Sequence, residues 1–376
     1  MNSYNILYII RQAEFGGGET HIKYIFDSMD RKLFTPILVS LSSGFLSDYA
    51  QSIGIKFYLL SKNKFGLLLN IFNLVRIIKK EKVDLIHAHG TKGAGLALIP
   101  AILNRKKMIY TVHAWSFHPE LSKWKYEFRR LVERFICSYV HKVILVSQAD
   151  FNAGDFISQL KKVIIRNGVD TRKFYPDKNY EFREELGYKK NDFVIGYFTR
   201  FTHQKNPFFV IELIKKLLQN NSSEKKKFKL LMIGDGELKK KILDTIKKEN
   251  LTDSIKVLNP SFEIQKYLNV IDCYVLPSFW EGMPYGVLEA MACGIPVIVS
   301  SIPNMTEIVE NEINGFCEGF EIENHARRII QLAEDDKLYS KINLNARTTI
   351  EQKFNIDKQL QELYKIYQKL KVNDGN

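Results

Sequence analysis

The stretch FWEGMPYGVLEAMACGIPVIV, residues 279–299, has the order of elements that characterises an open parallel sheet. The apolar run before it, Cys273–Leu276, has the composition of a buried strand, and Val297–Val299 has that of a second one. Between them, Gly286–Cys293 has the pattern of a helix that a glycine and a proline then end. Strand, helix and strand in succession predict a parallel α/β architecture.

Two glutamates flank the start of this predicted helix. We expect Glu281 on the strand-to-helix loop and Glu289 in the first helical turn. The N–H groups of a first turn have no partner inside the helix and lie at the positive end of its dipole, where a phosphate fits. A carboxylate on either side could accept hydrogen bonds from hydroxyl groups. A nucleotide-sugar has this layout, with hydroxyl groups on both sides of its phosphates. Either glutamate alone would be better explained as a structural residue, Glu289 as a surface carboxylate that complements the helix dipole and Glu281 as an ordinary loop carboxylate.

The segment resembles the E-x7-E signature of the retaining glycosyltransferases of family 4. This resemblance, which runs from about Tyr4 to the final helix, implies the GT-B fold, an α/β fold of two facing Rossmann-like domains. It implies that Glu281 contacts the donor sugar and that Glu289 binds the ribose hydroxyls. The donor-binding residues that we predict, including those discussed below, are Gly16, Gly17, Arg200, Lys205, Gly234, Glu281, Gly282, Gly286, Val287, Leu288 and Glu289.

The composition is that of a globular protein with room for two cores. The chain has 376 residues, of which 45% are hydrophobic and 26% charged. The N-terminus lacks a basic leader before an apolar run, and no apolar stretch approaches the length of a membrane span. The four cysteines show no metal-binding or disulfide spacing. We therefore expect a cytoplasmic protein with reduced thiols.

The net charge of +13 is confined to one half of the chain. Residues 1–180 contain 27 Lys and Arg against 14 Asp and Glu, whereas residues 181–376 contain 28 of each kind. Such a field favours an anionic partner, either a membrane surface, a lipid diphosphate or a nucleic acid.

Short apolar runs alternate with helical patterns along both halves. The first half has seven predicted strands, which are Asn5–Ile10, Pro36–Leu41, Lys56–Leu60, Val83–His87, Met108–His113, Val143–Ser147 and Val163–Ile165. The second has five, which are Phe193–Phe198, Lys229–Ile233, Ile255–Leu258, Cys273–Leu276 and Val297–Ser300. A lysine-rich segment, residues 222–229, is predicted as a loop.

These runs predict two domains. The first comprises residues 1–170 and binds the acceptor; the second comprises residues 171–356 and binds the nucleotide-sugar. An amphipathic helix at Asp357–Leu370 follows, and the resemblance implies that it crosses back to the first domain.

Two cations follow the first predicted strand of the second half. Arg200 ends the segment Tyr197–Arg200, and Lys205 opens the next helix, so both lie where open α/β sheets bind ligands. Together they could hold both phosphates of a leaving diphosphate, as the Arg and Lys pair of the family does. Taken singly, each would more often be solvated.

Two glycine-rich turns also follow predicted strands. Gly16 and Gly17 correspond to the family's loop that touches the donor phosphates, although a glycine triplet is as often a flexible turn. Gly234 begins a turn that resembles one near the base and ribose in the family, and a tight turn already explains most of it.

Histidines are concentrated in the first half. His87 and His89 alternate on a strand and so share a face, but no carboxylate or cysteine nearby completes a metal site. His113 corresponds to the family's T-x-H position facing the sugar, and we expect it to hydrogen-bond the sugar and its transition state. We expect His89 to shape the acceptor pocket.

The segment Ser122–Ile136 has an apolar stripe at helical spacing. We expect Leu131 and Phe135 to pack on the sheet. The Trp124 end carries Lys123, Lys125, Arg129 and Arg130, and we expect it to lie against anionic lipid headgroups. Trp124 is also placed with His89 in the candidate acceptor site.

The sequence thus predicts a retaining, metal-independent transferase. It would move a sugar from a nucleoside diphosphate, UDP by family frequency, to a hydroxyl of a lipid-linked or polysaccharide acceptor in cell-surface glycan synthesis. His113, Arg200, Lys205 and Glu281 are the predicted catalytic residues, with no cofactor beyond the donor. Two alternatives remain open, a UDP-sugar epimerase on the same fold and a nucleic-acid-binding protein. Against the latter, no helix-turn-helix or RNP-type motif is present.

Overall fold

The computed structural model describes residues 3–62, 66–219, 226–261 and 263–372. The chain divides into two compact units. The first unit consists of Met1–Asn167 together with Ile356–Asn376, and the second unit is Gly168–Asn355. The divisions taken from the sequence were at residues 170 and 356.

The first unit contains a seven-stranded parallel sheet in the order β3-β2-β1-β4-β5-β6-β7. Its strands are β1 Tyr4–Ile10, β2 Phe34–Ser40, β3 Lys56–Leu59, β4 Leu85–His89, β5 Lys107–Val112, β6 Lys142–Leu145 and β7 Lys162–Ile164. The strand order reverses between β1 and β4, which makes their carboxyl ends a topological switch point. The central strands are buried on both faces because helices cover both sides of the sheet.

Helices connect these strands. They are α1 Gly17–Ser28, α2 Phe45–Ser52, α3 Gly66–Lys80, α4 Gly90–Leu103, α5 Lys123–Tyr139 and α6 Gln148–Ala153. All seven strands differ from their predicted bounds by one or two residues at one end or both. Strand β4 is shifted by two residues at both ends: it begins at Leu85 rather than Val83 and ends at His89 rather than His87. Its pairing with β1 explains the extension, because Ile10 of β1 has His89 as its partner.

The second unit contains a six-stranded parallel sheet in the order β10-β9-β8-β11-β12-β13. Its strands are β8 Asp192–Phe198, β9 Lys227–Ile233, β10 Ile255–Leu258, β11 Cys273–Leu276, β12 Val297–Ser300 and β13 Phe316–Glu318. The order reverses between β8 and β11, so this sheet also has a switch point. Two sequence predictions were incomplete: β13 was missed, and Lys227–Lys229 belongs to β9 rather than to a loop. Of the predicted loop, residues 222–225 lie outside the described residues.

The helices of the second unit cover both faces of its sheet. They are α7 Tyr180–Glu185, α8 Pro207–Gln219, α9 Lys239–Lys248, α10 Ile264–Leu268, α11 Tyr285–Ala292, α12 Pro303–Thr306, α13 Ile322–Glu334 and α14 Asp336–Lys353. A 3-10 turn at His203–Lys205 precedes α8.

The last helix, α15 at Ile356–Val372, packs on the first unit. Its Tyr367 is fully buried, and the hydroxyl lies 2.8 Å from the Tyr8 hydroxyl and 2.7 Å from Nδ1 of His87. Helix α15 therefore completes the core of the first unit. Over the described ranges, no helix is both long enough and apolar enough to cross a bilayer.

Candidate active site

The switch point of the second unit brings the predicted acidic and basic residues together. Strands β8 and β11 are neighbours, with Cys273 paired to Ile195. The loops that follow them are joined by two hydrogen bonds: the Phe279 amide donates to the Gln204 carbonyl at 2.9 Å, and Nε2 of Gln204 donates to the Trp280 carbonyl at 2.7 Å. These bonds hold residues 200–205 beside residues 279–281.

At this junction Nζ of Lys205 donates to Oε1 of Glu281. Glu281 is buried and Lys205 is largely covered, with 5% and 11% of their side chains exposed. The buried hydroxyl of Tyr197 donates to the Lys205 carbonyl at 2.9 Å and so holds the backbone at Lys205 in place. A buried pair of this kind is geometrically constrained, because neither charge can be left without a partner.

Arg200 lies at the end of β8 and is partly exposed. Lys205 pairs with Glu281, whereas the guanidinium of Arg200 pairs with no carboxylate among the described residues. An arginine with free donors at the carboxyl edge of a parallel sheet can bind a phosphate with two of them. The site therefore has one cation in an internal pair and one available to a ligand.

Glu289 is buried but lies deeper in its helix than we expected. Helix α11 begins at Tyr285, and its first turn contains no acidic residue, so the prediction of Glu289 in the first turn was wrong. Burial and then the charges of Glu289 and Glu281 raise the pKa of Tyr274, the tyrosine of β11. The charges of both glutamates therefore reach the same side chain, that of Tyr274, which lies beneath the site.

The start of α11 is only partly available to a phosphate. The residue before it is Pro284, whose apolar side chain cannot cap the helix. Gly286 and Val287 lie in the first turn, where no preceding helical carbonyl accepts their N–H groups. The Leu288 amide is bonded to the Pro284 carbonyl at 3.4 Å, so it is not one of the free donors that we predicted.

Packing explains two of the predicted site glycines. A Cβ at Gly286 would overlap the hydroxyl of Tyr274, which donates to the Phe198 carbonyl at 2.8 Å. A Cβ at Gly234 would overlap the Thr199 carbonyl. Both glycines therefore allow the loop after β8 to lie close to its neighbours, and their ligand contacts stay a prediction.

The glycine loop of the first unit shows no such crowding at Gly17, because a Cβ there would meet nothing within 4 Å. Gly16 has extended φ and ψ angles, which any residue could adopt. Gly18 is the crowded position, since its Cβ would come 3.2 Å from the imidazole of His113.

His113 follows β5 and belongs to a compact group of four imidazoles. Its Nε2 lies 3.1 Å from Nδ1 of His89, and its ring meets that of His21 edge to face at 4.7 Å. The ring of His87 lies 4.3 Å from that of His89. The sequence did not indicate His21, which reaches the group from α1 and lies 3.0 Å from Oδ1 of Asn167.

Desolvation keeps this group neutral at pH 7. Burial lowers the pKa of His21 to about 4 and holds the pKa values of His87, His89 and His113 well below 6.5, with mutual repulsion contributing. Within the described part of the chain, no three histidine, cysteine or acidic side chains are arranged to hold a metal ion. The group can orient neutral imidazoles for hydrogen bonding.

Two acceptor predictions have different outcomes. His89 is 1% exposed and its Nε2 is buried, so it has no surface that could contact an acceptor. It instead supports His113 from behind. Trp124 is 68% exposed at the start of α5 and is available to a ligand or a surface.

The apolar stripe of α5 faces solvent along its whole length. Leu131 and Phe135 are 62% and 57% exposed, so the prediction that they pack on the sheet was wrong. The helix instead buries Glu133, Ile136 and Cys137. The exposed stripe consists of Trp124, Phe128, Leu131, Phe135 and Tyr139.

Comparisons with known proteins agree with this architecture. Residues 178–349 match the family model described as glycosyl transferases group 1, and residues 15–173 match that of glycosyltransferase family 4. HepE from Anabaena, solved in complex with UDP-glucose, superimposes with a TM-score of 0.85 at 22% identity, over 97% of this chain and 99% of that one. A glycosyltransferase from Rickettsia africae gives 0.77 at 23% identity, over 98% and 99%. The fold is therefore GT-B.

A curated relative extends the match over nearly the whole chain. This is the UDP-Gal:alpha-D-GlcNAc-diphosphoundecaprenol alpha-1,3-galactosyltransferase of Escherichia coli, which is 30% identical over 360 residues, 93% of this chain and 92% of the relative. The O-antigen biosynthesis glycosyltransferase WclY of Escherichia coli is 26% identical over 271 residues, 69% and 72% of the two chains. Family models match both halves of the chain, and the Escherichia coli galactosyltransferase aligns with 93% of it. The chain therefore belongs to glycosyltransferase family 4.

Proposed function

We propose that the protein moves a sugar from a UDP-sugar to a hydroxyl of a lipid-diphosphate-linked or glycan acceptor, with retention of anomeric configuration, in the synthesis of a cell-surface glycan. The relative that matches 93% of the chain is named for a UDP-Gal donor and a diphosphoundecaprenol-linked acceptor, which supports both substrate classes. HepE was solved with UDP-glucose, which supports the UDP donor. Retention and independence of metal follow from the resemblance and from the lack of a D-x-D pair in the sequence.

The observation that carries the proposal is the buried Lys205–Glu281 pair at the switch point of the second unit. We propose that Arg200 and Lys205 bind the donor diphosphate, that Glu281 binds the sugar and that Glu289 binds the ribose. Within the protein, Glu281 accepts a hydrogen bond from Lys205. A diphosphate that reached the site would give Lys205 a second anion, and the sugar hydroxyls would give Glu281 new donors. The pair thus keeps both groups oriented until the donor arrives.

The transfer breaks the bond between the anomeric carbon and the donor phosphate oxygen, and forms a bond from that carbon to the acceptor oxygen. The acceptor proton passes to a donor phosphate oxygen. Negative charge grows on the leaving diphosphate, so Arg200 and Lys205 stabilise the transition state more than the ground state. His113, neutral and supported by His89, is proposed to hydrogen-bond the sugar.

We also propose that α5 binds the inner face of the cell membrane. Its exposed stripe places apolar side chains outward over several turns, and its exposed cations Lys123, Lys125 and Arg134 would meet anionic headgroups. A second copy of the chain is a weaker candidate for this cationic face, because two identical positively charged faces repel each other.

The double variant Trp124→Ser, Phe128→Ser should lose binding to anionic liposomes, while Leu344→Ser, which changes an exposed leucine of the second unit, should retain it. Equal binding by both, or a concentration-dependent dimer that the double variant abolishes, would contradict the membrane role.

The test of the activity is a panel of UDP-, GDP- and ADP-sugars with diphosphate-linked and neutral sugar acceptors, in the presence of EDTA. A glycoside of retained configuration together with free UDP is the expected result. An isomerised donor without a glycoside would indicate the epimerase instead. An inverted product would refute retention, and loss of activity in EDTA would refute independence of metal.

A further inference from the structure

Three cations converge at the switch point of the first unit. This cation cluster consists of Arg11, Lys92 and Arg129, all of them exposed. Arg11 directly follows β1, and Lys92 is the third residue of α4, directly after β4. Because Ile10 and His89 are partners across these two strands, both cations leave the sheet at the same edge. The corresponding edge of the second unit carries Arg200 and Lys205.

The first turn of α4 lies directly on the end of β1. A Cβ at Gly93 would come 2.8 Å from the Ile9 carbonyl and 3.4 Å from Cα of Ile10. Only a glycine allows this approach, which holds Lys92 beside Arg11.

Arg129 is brought to the cluster by α5 through a buried carboxylate. Its Nη1 donates to the Ser116 carbonyl at 2.7 Å. The Ser116 amide donates to Oε1 of Glu133 at 3.4 Å, and the Thr91 hydroxyl donates to the same oxygen at 2.6 Å. This chain of contacts ties Arg129 to the residue next to Lys92.

Among the residues that the structure describes, no carboxylate forms an ion pair with Arg11, Lys92 or Arg129. Desolvation and then the charges of Arg11 and Arg129 lower the pKa of Lys92. Glu14, three residues after Arg11, pairs with Lys62 at 3.4 Å, and Asp155 pairs with Arg130, the residue after Arg129, at 2.6 Å. Glu133 is fully buried and accepts from Thr91, Ser116 and Tyr110. Like charges held together repel, so an anion bound among them would stabilise the arrangement.

We propose that Arg11, Lys92 and Arg129 bind the phosphate groups of the acceptor, and that the acceptor is a sugar diphosphate ester. This inference rests on the proposed function and adds the residues that recognise the acceptor. Two guanidinium groups and an ammonium suit a diphosphate, because arginine pairs with phosphate oxygens in a fork and lysine adds a point charge. The next strand of the sheet, β5, ends beside β4 and leads to His113, so the bound phosphates would lie on the same edge as the sugar-facing histidine.

The test measures acceptor binding directly. A water-soluble short-alkyl ester of N-acetylglucosaminyl diphosphate, and the neutral alkyl glycoside of the same sugar, are titrated calorimetrically into the full chain saturated with UDP. Arg11→Gln and Lys92→Gln should each weaken binding of the diphosphate ester by about ten- to hundredfold, as expected for lost bonds to a charged group. Binding of the neutral glycoside should not change. Lys32→Gln is the matched control, since Lys32 is exposed before β2, at the opposite edge of the sheet.

Unchanged affinity for the diphosphate ester in both variants would overturn the inference. A loss of binding to anionic liposomes with unchanged affinity for the soluble ester would overturn it as well, because the cluster would then serve lipid headgroups. A failure of the proposed function looks different: the wild type would bind the ester with the expected dependence on Arg11 and Lys92 but transfer no sugar from any nucleotide donor.

Discussion

The ammonium of Lys205 is bonded to the carboxylate of Glu281, 76 residues further along the chain, and most of both side chains is shielded from solvent. Removing one partner leaves the other charge buried and unpaired, which destabilises a protein by about 3–5 kcal/mol. We therefore expect Lys205→Met and Glu281→Gln to lower the unfolding free energy of the second unit, and the double variant to be more stable than Lys205→Met. Each should also reduce transfer by at least about a hundredfold. Urea unfolding and initial rates measure the two effects; single variants with wild-type stability and rate would contradict the assignment.

The buried carboxylate of Glu289 is the proposed ribose ligand. Glu289→Gln keeps the shape of the side chain but removes the charge that would accept two hydroxyl groups. We expect UDP affinity to fall about tenfold or more while the rate at saturating donor changes less. Calorimetric titration with UDP measures this, with Glu334→Gln, an exposed glutamate of the same unit, as the control. Equal affinity of all three proteins would exclude the ribose role.

The imidazole group of the first unit predicts a dependence of stability on pH. The unfolded chain protonates His21 near 6.5, whereas the folded protein does so only near about 4. Between these values the unfolded state binds more protons, so the unfolding free energy falls as the pH drops from 6.5 towards 4. His87, His89 and His113, whose pKa values are also lowered, add to the effect in the same direction.

The check is a series of thermal melts from about pH 7.5 to pH 5. The wild type should change little above about pH 6.5 and lose stability progressively below it, and His21→Gln, although less stable at neutral pH, should lose less. A wild-type melting temperature that does not change with pH would show that the group is not protonated preferentially in the unfolded chain.

Gly286 and Gly95 form a matched pair of helical glycines with opposite expectations. Alanine at Gly286 would meet the Tyr274 hydroxyl and displace it from the Phe198 carbonyl, at the strand that leads to Arg200. We expect Gly286→Ala to lower both stability and UDP affinity. Gly95 is exposed within α4 and a Cβ there meets nothing within 4 Å, so Gly95→Ala should stabilise the protein by about 0.5–1 kcal/mol. If Gly286→Ala binds UDP normally, the close contact with Tyr274 is not needed by the site.

The sequence predicted the sheets well where strands are buried on both faces. Three strands of the second unit, β10, β11 and β12, have the bounds that we predicted. Strands β11 and β12 are buried throughout, and their apolar runs end sharply. Strand β10 contains Lys256 and is only partly buried, so continuous burial does not explain its agreement. The three-residue strand β13 lacks such a run and forms through pairing with β12, which is not visible in a short segment. Strand β4 extends to His89 because neighbouring strands continue on both sides.

The side chains of the site were harder to predict than its location. The motif placed Glu281 near a phosphate site, but the bond to Lys205 depends on two loops meeting at a switch point. The stripe of α5 has the periodicity of a packed helix, yet the face with Glu133 is the buried one, since Thr91 and Tyr110 satisfy that carboxylate. Periodicity shows that a helix has two faces, and only the tertiary partners decide which face is inside.

The placement of α15 has a consequence for synthesis. Tyr367 fills the space between Tyr8 and His87, so strand β1 acquires this neighbour only from a helix whose tyrosine is translated 359 residues after Tyr8. Until α15 has been synthesised, the surface of the nascent first unit around Tyr8 and His87 stays exposed. The second unit can therefore fold before the first unit is complete. Premature termination shortly before residue 356 would thus yield a chain whose N-terminal unit lacks α15 and has an incomplete core. We expect chaperones to bind such products and proteases to degrade them.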